Sequence, residues 1–189
     1  MNWKIPVAVT IVVIVTAYFL FSQSPFIPGK NASVEYSEWR LLVDGLVRRP
    51  LNLSLTEMLT MPRRTINAEL YCLPSPGGSG VLVDSGNWTG VTLGFILEKA
   101  GVFPEAVKVA FYAEDGFTTD LTITTAVSED VILAYEKDDE LLQQKLRLVV
   151  PGKWGYKWIY LLNHVELMDY DFLGSYERRG FPDRAEISQ

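Results

Sequence analysis

Three scarcities limit what this chain of 189 residues can do. It has one cysteine and one histidine, and its 17 Lys and Arg residues are outnumbered by 23 Asp and Glu, which gives a net charge of −6. A single cysteine excludes an internal disulfide framework and a structural zinc site built on paired cysteines. The deficit of basic residues argues against nucleic acid as a partner, because phosphates must be neutralised by Lys and Arg. No nucleophile elbow accompanies the lone His164, so we expect it to be a strand residue without a catalytic role.

One uncharged run accounts for much of the apolar character of the chain. The mean hydropathy of the whole chain is +0.12. The uncharged run extends from Ile5 to Phe21. As a helix it would be roughly 26 Å long, at the short end for crossing a bilayer. Two alternatives stay open: a cleaved signal peptide, with a weak cleavage candidate at Ser22–Ser24, and a buried helix of a soluble protein. Our interpretation is a cytoplasmic N-terminus over residues 1–4, a single transmembrane anchor over 5–22, a tether over 23–35 and a domain over 36–189.

The charges that flank the apolar run predict its orientation. Lys4 precedes the run, whereas on its far side Lys30 is soon followed by Glu35 and Glu38. Cytoplasmic flanks carry an excess of Lys and Arg. We therefore expect the domain to lie on the extracytoplasmic side of a membrane.

The first half of the domain shows signals for both helices and strands. Ser54 and Glu57 have capping-box spacing and predict a short helix that Pro62 stops. Thr92 to Ala100, followed by Gly101, is typical of a second helix. Between them, apolar residues alternate from Ile66 to Cys72, which predicts a strand with Cys72 on its inward face. A long Gly- and Pro-rich loop is expected from Leu73 to Gly86.

The second half is rich in predicted strands, and helices and strands do not alternate regularly. This pattern predicts an α+β fold with a mixed sheet. The expected strands are Glu38 to Gly45 in the first half and, in the second, Val107 to Ala113, a hairpin of Val131 to Lys137 with Glu140 to Leu142, Leu146 to Val150, and an extended stretch from Trp158 to Met168.

Cys72 is the most informative candidate for chemistry. It ends a strand and is followed by the Gly- and Pro-rich loop, a common location for functional groups. From pattern alone two interpretations are open, a small core hydrophobe and a thiolate ligand for a soft metal. Arg63 and Arg64 are surface residues by default, although either could meet an anionic group.

Six segments in the same order resemble the sulfite-oxidase-type molybdopterin-binding domain, over about residues 36–182. They are Trp39-x-Leu41-x-Val43-x-Gly45-x-Val47, Pro50-Leu51-x-Leu53-Ser54-Leu55, Leu70-x-Cys72, Leu133-Ala134-Tyr135-Glu136, Leu146 to Trp158 with Pro151-Gly152-x-x-Gly155-Tyr156-Lys157-Trp158, and Gly174-Ser175-Tyr176-Glu177-x-x-Gly180-Phe181. The resemblance implies layered mixed β-sheets with short flanking helices around one molybdopterin–molybdenum cofactor, with tungsten as the alternative metal.

The resemblance also implies roles for particular residues. Cys72 would supply the protein thiolate to the metal, as a catalytic and metal-binding residue. Gly155, Tyr156 and Lys157 would contact the cofactor, with Lys157 offering charge to its phosphate. Arg63 and Arg64 are candidates for binding the phosphate or the substrate.

Two functions follow as expectations. The first is a membrane-anchored oxidoreductase that performs two-electron oxo transfer on a small substrate and exchanges electrons with a separate redox partner. The second is a non-catalytic exported binding module that keeps the fold. Departures from the family pattern support the second: Leu73 to Gly78 differ from the usual continuation after the cysteine, and Tyr160 stands where relatives often have a basic residue.

Overall fold

The computed structural model describes residues 38–187. The predicted anchor over residues 5–22 lies outside that range. Within it, no helix is long and apolar enough to cross a membrane. In chain order the elements are β1 (Arg40–Gly45), β2 (Leu51–Ser54), α1 (Leu55–Leu59), β3 (Arg64–Cys72), β4 (Val81–Thr92), α2 (Leu93–Ala100), β5 (Lys108–Ala113), β6 (Thr118–Thr122), α3 (Ile123–Ala126), β7 (Ile132–Lys137), β8 (Glu140–Leu141), β9 (Arg147–Val149) and β10 (Leu162–Met168), with 3₁₀ turns at Gly155–Lys157 and Glu177–Arg179.

The strands form two sheets. The first has the strand order β2-β1-β10-β5-β6. It is mixed, because β1 and β10 run parallel while the other three pairs of adjacent strands are antiparallel. The second has the order β3-β4-β7-β8, with β9 also paired to β7, and is antiparallel. The predicted α+β class with a mixed sheet is confirmed.

One hydrophobic core joins the two sheets. From the first sheet it takes Leu41 and Phe111, and from the second Trp88 and Leu133, all of them buried. The α2 helix adds its apolar face, which repeats at positions three and four apart: Leu93, Ile96, Leu97 and Ala100 are buried. Burial of these side chains is the main favourable contribution to folding.

Both predicted helices form where their end signals lie. Ser54 and Glu57 make the reciprocal hydrogen bonds of a capping box at the start of α1. The Thr92 hydroxyl accepts from the Phe95 amide at the start of α2. Gly101 ends α2 with a φ of 73°, a left-handed conformation that favours glycine.

The predicted strands form, but the stretch from Trp158 to Met168 is a strand only from Leu162, because Leu161 has a left-handed φ of 55°. Strand β2 was not predicted, and two further differences follow. The loop predicted from Leu73 to Gly86 is too long, because β4 already begins at Val81 and pairs with Cys72. The outer part of β4 is exposed and contains Asp84, Ser85 and Gly86, so its composition is typical of a loop although it forms a hairpin with β3. Strand β6 was not predicted, because Thr118 to Asp120 are polar although Thr119 and Asp120 are buried.

Candidate functional site

A cleft of about 400 Å³ opens at the C-terminal end of β3. Six parts of the chain line it: β3 with its following loop, β4, the turn after β5, β9, the 3₁₀ turn at Gly155–Lys157 with the residues after it, and Tyr176. The lining is largely apolar and aromatic, with few ionisable groups. The lining residues include Cys72, Phe117, Arg147, Gly155, Tyr156 and Tyr176.

Cys72 is the last residue of β3 and its thiol is free and exposed. Its side chain lines the cleft together with Leu70, two residues earlier, as the alternation along the strand predicts. The interpretation of Cys72 as a small core hydrophobe is wrong, because along β3 the main hydrophobic core ends at Leu70, which is 5% exposed, and Cys72 lies beyond it. Cys72 is therefore an accessible thiol at the wall of a cleft.

The 3₁₀ turn at Gly155–Lys157 packs directly on the end of β3. A Cβ atom at Gly155 would lie 3.0 Å from both the Leu70 Cδ2 and the Tyr71 carbonyl oxygen, so glycine permits this close approach. Gly155 and Tyr156 consequently lie in the same cleft as Cys72, as predicted. The Tyr156 hydroxyl donates to the Pro182 carbonyl at 2.6 Å. Burial and nearby carboxylates raise the pKa of Tyr156, so its phenol stays protonated.

Lys157 is placed differently from its neighbours. Only 1% of it is exposed, and its Nζ lies 2.6 Å from Glu177 Oε1 and 3.0 Å from Asp120 Oδ1. The side chain therefore points away from the cleft into the protein, and its charge is balanced there. The predicted contact between this ammonium and a cofactor phosphate does not fit this arrangement.

Arg63 and Arg64 are not brought together with Cys72. Arg64 begins β3 and Cys72 ends it, a separation of roughly 26 Å at about 3.3 Å per residue. The Arg64 Nη2 donates to Asp130 at 3.0 Å, and its Nη1 lies 3.6 Å from Glu129. Arg63 is exposed in the turn before the strand. The prediction that these two arginines belong to the same site is corrected by their position at the far end of the strand.

Arg147 is the basic residue that the cleft does contain, and the sequence analysis missed it. It begins β9 and lines the cleft, and its Nε is buried without a hydrogen-bond partner in the described part of the chain. Its guanidinium lies over the Trp88 ring, with Cζ 5.5 Å from the ring centroid. Burial lowers the pKa of Arg147. A charged residue within the apolar stretch Leu146 to Val150 was the available signal, because buried charges are retained only where something binds them.

His164 lies outside the cleft, as a strand residue of β10. Its Nε2 is 2.7 Å from Asp44 Oδ1, and its ring stacks on Tyr112 with the centroids 4.8 Å apart. Both contacts are explained by the pairing of β10 with its two neighbouring strands.

The residues of the cleft fit a metal-containing organic cofactor better than a bare metal ion. Over residues 38–187 no group of three or more His, Cys, Asp or Glu side chains could hold a metal. A metal bound at Cys72 would therefore take its other ligands from a cofactor. The accessible thiol, the unpartnered Arg147 nitrogen and the close-packed glycine supply a metal ligand, a charge and space for such a group.

Comparison with known proteins gives the same picture. Residues 28–176 match the family model of the oxidoreductase molybdopterin binding domain. The uncharacterized oxidoreductase YuiH of Bacillus subtilis (strain 168) is 31% identical over 156 residues, which cover 80% of this chain and 76% of YuiH. MsrP of Gluconobacter oxydans (strain 621H), a protein-methionine-sulfoxide reductase catalytic subunit, is 26% identical over 154 residues, covering 70% of this chain and 48% of MsrP.

A solved structure shares the fold. The crystal structure of the sulfane dehydrogenase SoxCD from Paracoccus pantotrophus matches with a TM-score of 0.66 and 25% sequence identity, over 71% of this chain and 39% of the SoxCD chain. This chain thus spans about three quarters of YuiH but less than half of MsrP and of the matched SoxCD chain.

Proposed function

The chain belongs to the oxidoreductase molybdopterin-binding domain family, and on that premise we propose that it is a molybdopterin-dependent oxidoreductase performing two-electron oxo transfer on a small substrate. The proposal includes exchange of electrons with a separate redox partner. It also includes anchoring by residues 5–22, with the domain on the extracytoplasmic side.

The observation that carries the proposal is the accessible Cys72 thiol in the cleft. The chain has no other cysteine, and this one ends β3 two residues beyond Leu70, the last residue of the strand in the main hydrophobic core. Free cysteines are usually among the most buried residues, whereas functional cysteines are accessible. An exposed cysteine beside a cleft therefore indicates a functional role. A thiolate is a strong ligand for a soft metal centre, so Cys72 would hold the metal of a bound cofactor at the wall of the cleft.

The other cleft residues have complementary tasks. When bound, the cofactor supplies the oxo-transfer chemistry, and the protein binds, orients and tunes it. Arg147, whose Nε has no hydrogen-bond partner in the described part of the chain, offers a positive charge to an anionic group of the cofactor or the substrate. Phe117, Tyr156 and Tyr176 form an apolar wall that limits water around the reacting atoms. The volume of about 400 Å³ suits a small substrate beside part of a cofactor.

Metal content is the direct test of this proposal. The full chain, produced in a host that makes the cofactor and purified in detergent, is expected to contain about one molybdenum per chain, because it offers one thiolate site. Elemental analysis by mass spectrometry measures molybdenum and tungsten together. A well-folded protein that contains neither metal would instead support the non-catalytic binding module.

The anchoring part of the proposal has its own test. Protease added to intact cells is expected to digest the domain, because the flanking charges favour export of everything after residue 22. A cytoplasmic marker protein in the same cells is the control. Protection of the domain, or its recovery without detergent in the soluble fraction, would contradict the predicted single-pass anchor.

A further inference from the structure

Behind the cleft lies a buried ion network formed by Lys108, Asp120, Lys157, Glu177 and Asp183. The first four of these residues are at most 5% exposed. Lys157 contacts Asp120, Glu177 and Asp183, at 3.0, 2.6 and 3.4 Å. Lys108 contacts Asp120 and Asp183, at 2.5 and 2.8 Å. Two ammonium groups are thus shared among these three carboxylates from distant parts of the sequence, and Lys108 also contacts the exposed Asp171 at 3.1 Å.

The network members stand next to the aromatic residues of the cleft. Lys157 directly follows Tyr156, and Glu177 directly follows Tyr176. Both tyrosines line the cleft, and their rings stack with centroids 5.5 Å apart and an interplanar angle of 6°. The network therefore joins the two chain segments that present this stacked pair.

The third aromatic segment is tied to the network in the same way. Phe117 packs on Tyr176 with the ring centroids 5.8 Å apart. Two residues after Phe117, the buried Thr119 hydroxyl donates to Glu177 Oε1 at 2.9 Å. Asp183 follows Pro182, whose carbonyl oxygen accepts a hydrogen bond from the Tyr156 hydroxyl. We call Phe117, Tyr156 and Tyr176 the aromatic wall.

We propose that the buried ion network positions the aromatic wall of the cleft, and that Lys157 is a positioning residue and not a phosphate ligand. The inference rests on the proposed function in one respect, since the wall is taken to hold the cofactor or substrate. The network fixes where three separate segments of the chain meet, and the wall exists only where they meet.

Stability alone gives no reason for this many buried charges. Removing ionic groups from water carries a penalty that their mutual attraction only partly repays, and apolar replacements are often as stable. Burial raises the pKa of Asp120, and its two lysine neighbours oppose that shift. What ionic contacts provide beyond apolar ones is a defined geometry, because each needs particular atoms at particular distances.

Packing around Glu177 shows how closely the geometry is fixed. A Cβ atom at Gly174 would lie 2.5 Å from the Thr119 Cα and 2.6 Å from Glu177 Oε2. The segment before Glu177 therefore lies against β6 without room for any side chain. A shift of Glu177 would move Tyr176, its neighbour, out of contact with Tyr156.

The test replaces one ionic pair by neutral groups of similar shape, in the variant Lys157→Met/Glu177→Gln of the full chain. The double substitution removes one charge of each sign and leaves Lys108 in contact with Asp120 and Asp183, so the melting temperature is expected to stay within about 5 °C of the wild type. Tyrosines are labelled with 3-fluorotyrosine, and the ¹⁹F signals of Tyr156 and Tyr176 are assigned from Tyr→Phe variants. Both signals are expected to shift, and molybdenum retained after gel filtration is expected to fall by about tenfold or more.

The two readouts separate the failure of this inference from the failure of the proposed function. If the wild type contains no metal, the proposed function fails, while the ¹⁹F signals still test the positioning of the wall. A folded double variant with unchanged ¹⁹F signals overturns the inference. Should the double variant not fold, Thr119→Val removes only the hydroxyl that contacts Glu177, and the same signals decide.

Asp171→Asn is the matched control. Asp171 lies 3.1 Å from Lys108, but its side chain is 76% exposed and it contacts neither Lys157 nor Glu177. This substitution is expected to leave the ¹⁹F signals and metal retention unchanged. Equal shifts in this control and in the double variant would mean that the wall responds to any loss of charge, which also overturns the inference.

Discussion

Replacing Cys72 by serine is expected to lower oxidoreductase turnover by more than about 100-fold. Changes to groups that merely orient a metal ligand typically lower metal affinity or activity by 10- to 100-fold, and loss of the ligand itself should exceed that range. A serine hydroxyl keeps the size of the side chain but is a hard and weakly acidic ligand for a soft metal. Turnover is measured with an artificial electron donor or acceptor, per metal bound.

Two further variants show whether the effect is specific to the ligand. Val107→Ser introduces the same side chain at a position that is 49% exposed and does not line the cleft, and it should retain full activity. Arg147→Met removes the positive charge of the cleft but no metal ligand, and we expect a smaller loss than for Cys72→Ser. Wild-type turnover in Cys72→Ser would show that the thiol is not bound to the catalytic metal.

Replacing Lys157 alone by methionine is expected to lower the free energy of unfolding by about 3–5 kcal/mol. The substitution leaves the buried Asp120 with Lys108 as its remaining ammonium contact, and it removes the ammonium that contacts the buried Glu177. Breaking a buried ion pair by removing one partner has an effect of about this size, because a charge remains without compensation. Urea unfolding at 25 °C, followed by tryptophan fluorescence, measures the change.

Lys153→Met is the matched control for this loss of stability. Lys153 lies four residues earlier and its Nζ is 3.4 Å from Glu186, whose side chain is 66% exposed. An ion pair with such a partner is screened by water, so we expect a loss of less than about 1 kcal/mol. Similar losses for the two variants would mean that Lys157 is not engaged in the buried network. Addition of Glu177→Gln to Lys157→Met should restore much of the stability.

Local signals in the sequence were enough to predict much of the fold. The capping box at Ser54 and the Thr92–Gly101 helix both depend on residues within one or two turns of each other, so their physics is complete in a short window. Alternation from Ile66 to Cys72 likewise gave the side of the strand on which the cysteine lies. The ordered family segments then made that cysteine the predicted metal ligand.

Other features depended on contacts that no short window contains. Lys157 forms ion pairs with Asp120 and Glu177, which are 37 and 20 positions away in the sequence. Its burial could therefore not be predicted from the Gly-Tyr-Lys-Trp stretch alone. Arg63 and Arg64 were predicted to belong to the site because either could meet an anionic group. Arg64 instead begins the nine-residue strand that Cys72 ends, so roughly 26 Å of strand separates the two residues.

The parallel pairing of β1 with β10 has a consequence for the way the domain folds. Leu42 lies opposite His164 and Gly45 opposite Leu167, so the centre of the first sheet joins the two ends of the domain. Such distant partners raise the contact order, and chains with high contact order fold slowly because a long loop must close first. During synthesis β1 waits for nearly the whole domain before its central partner exists. The cleft is therefore completed late, by the same C-terminal segments that carry β10, Tyr176 and Glu177.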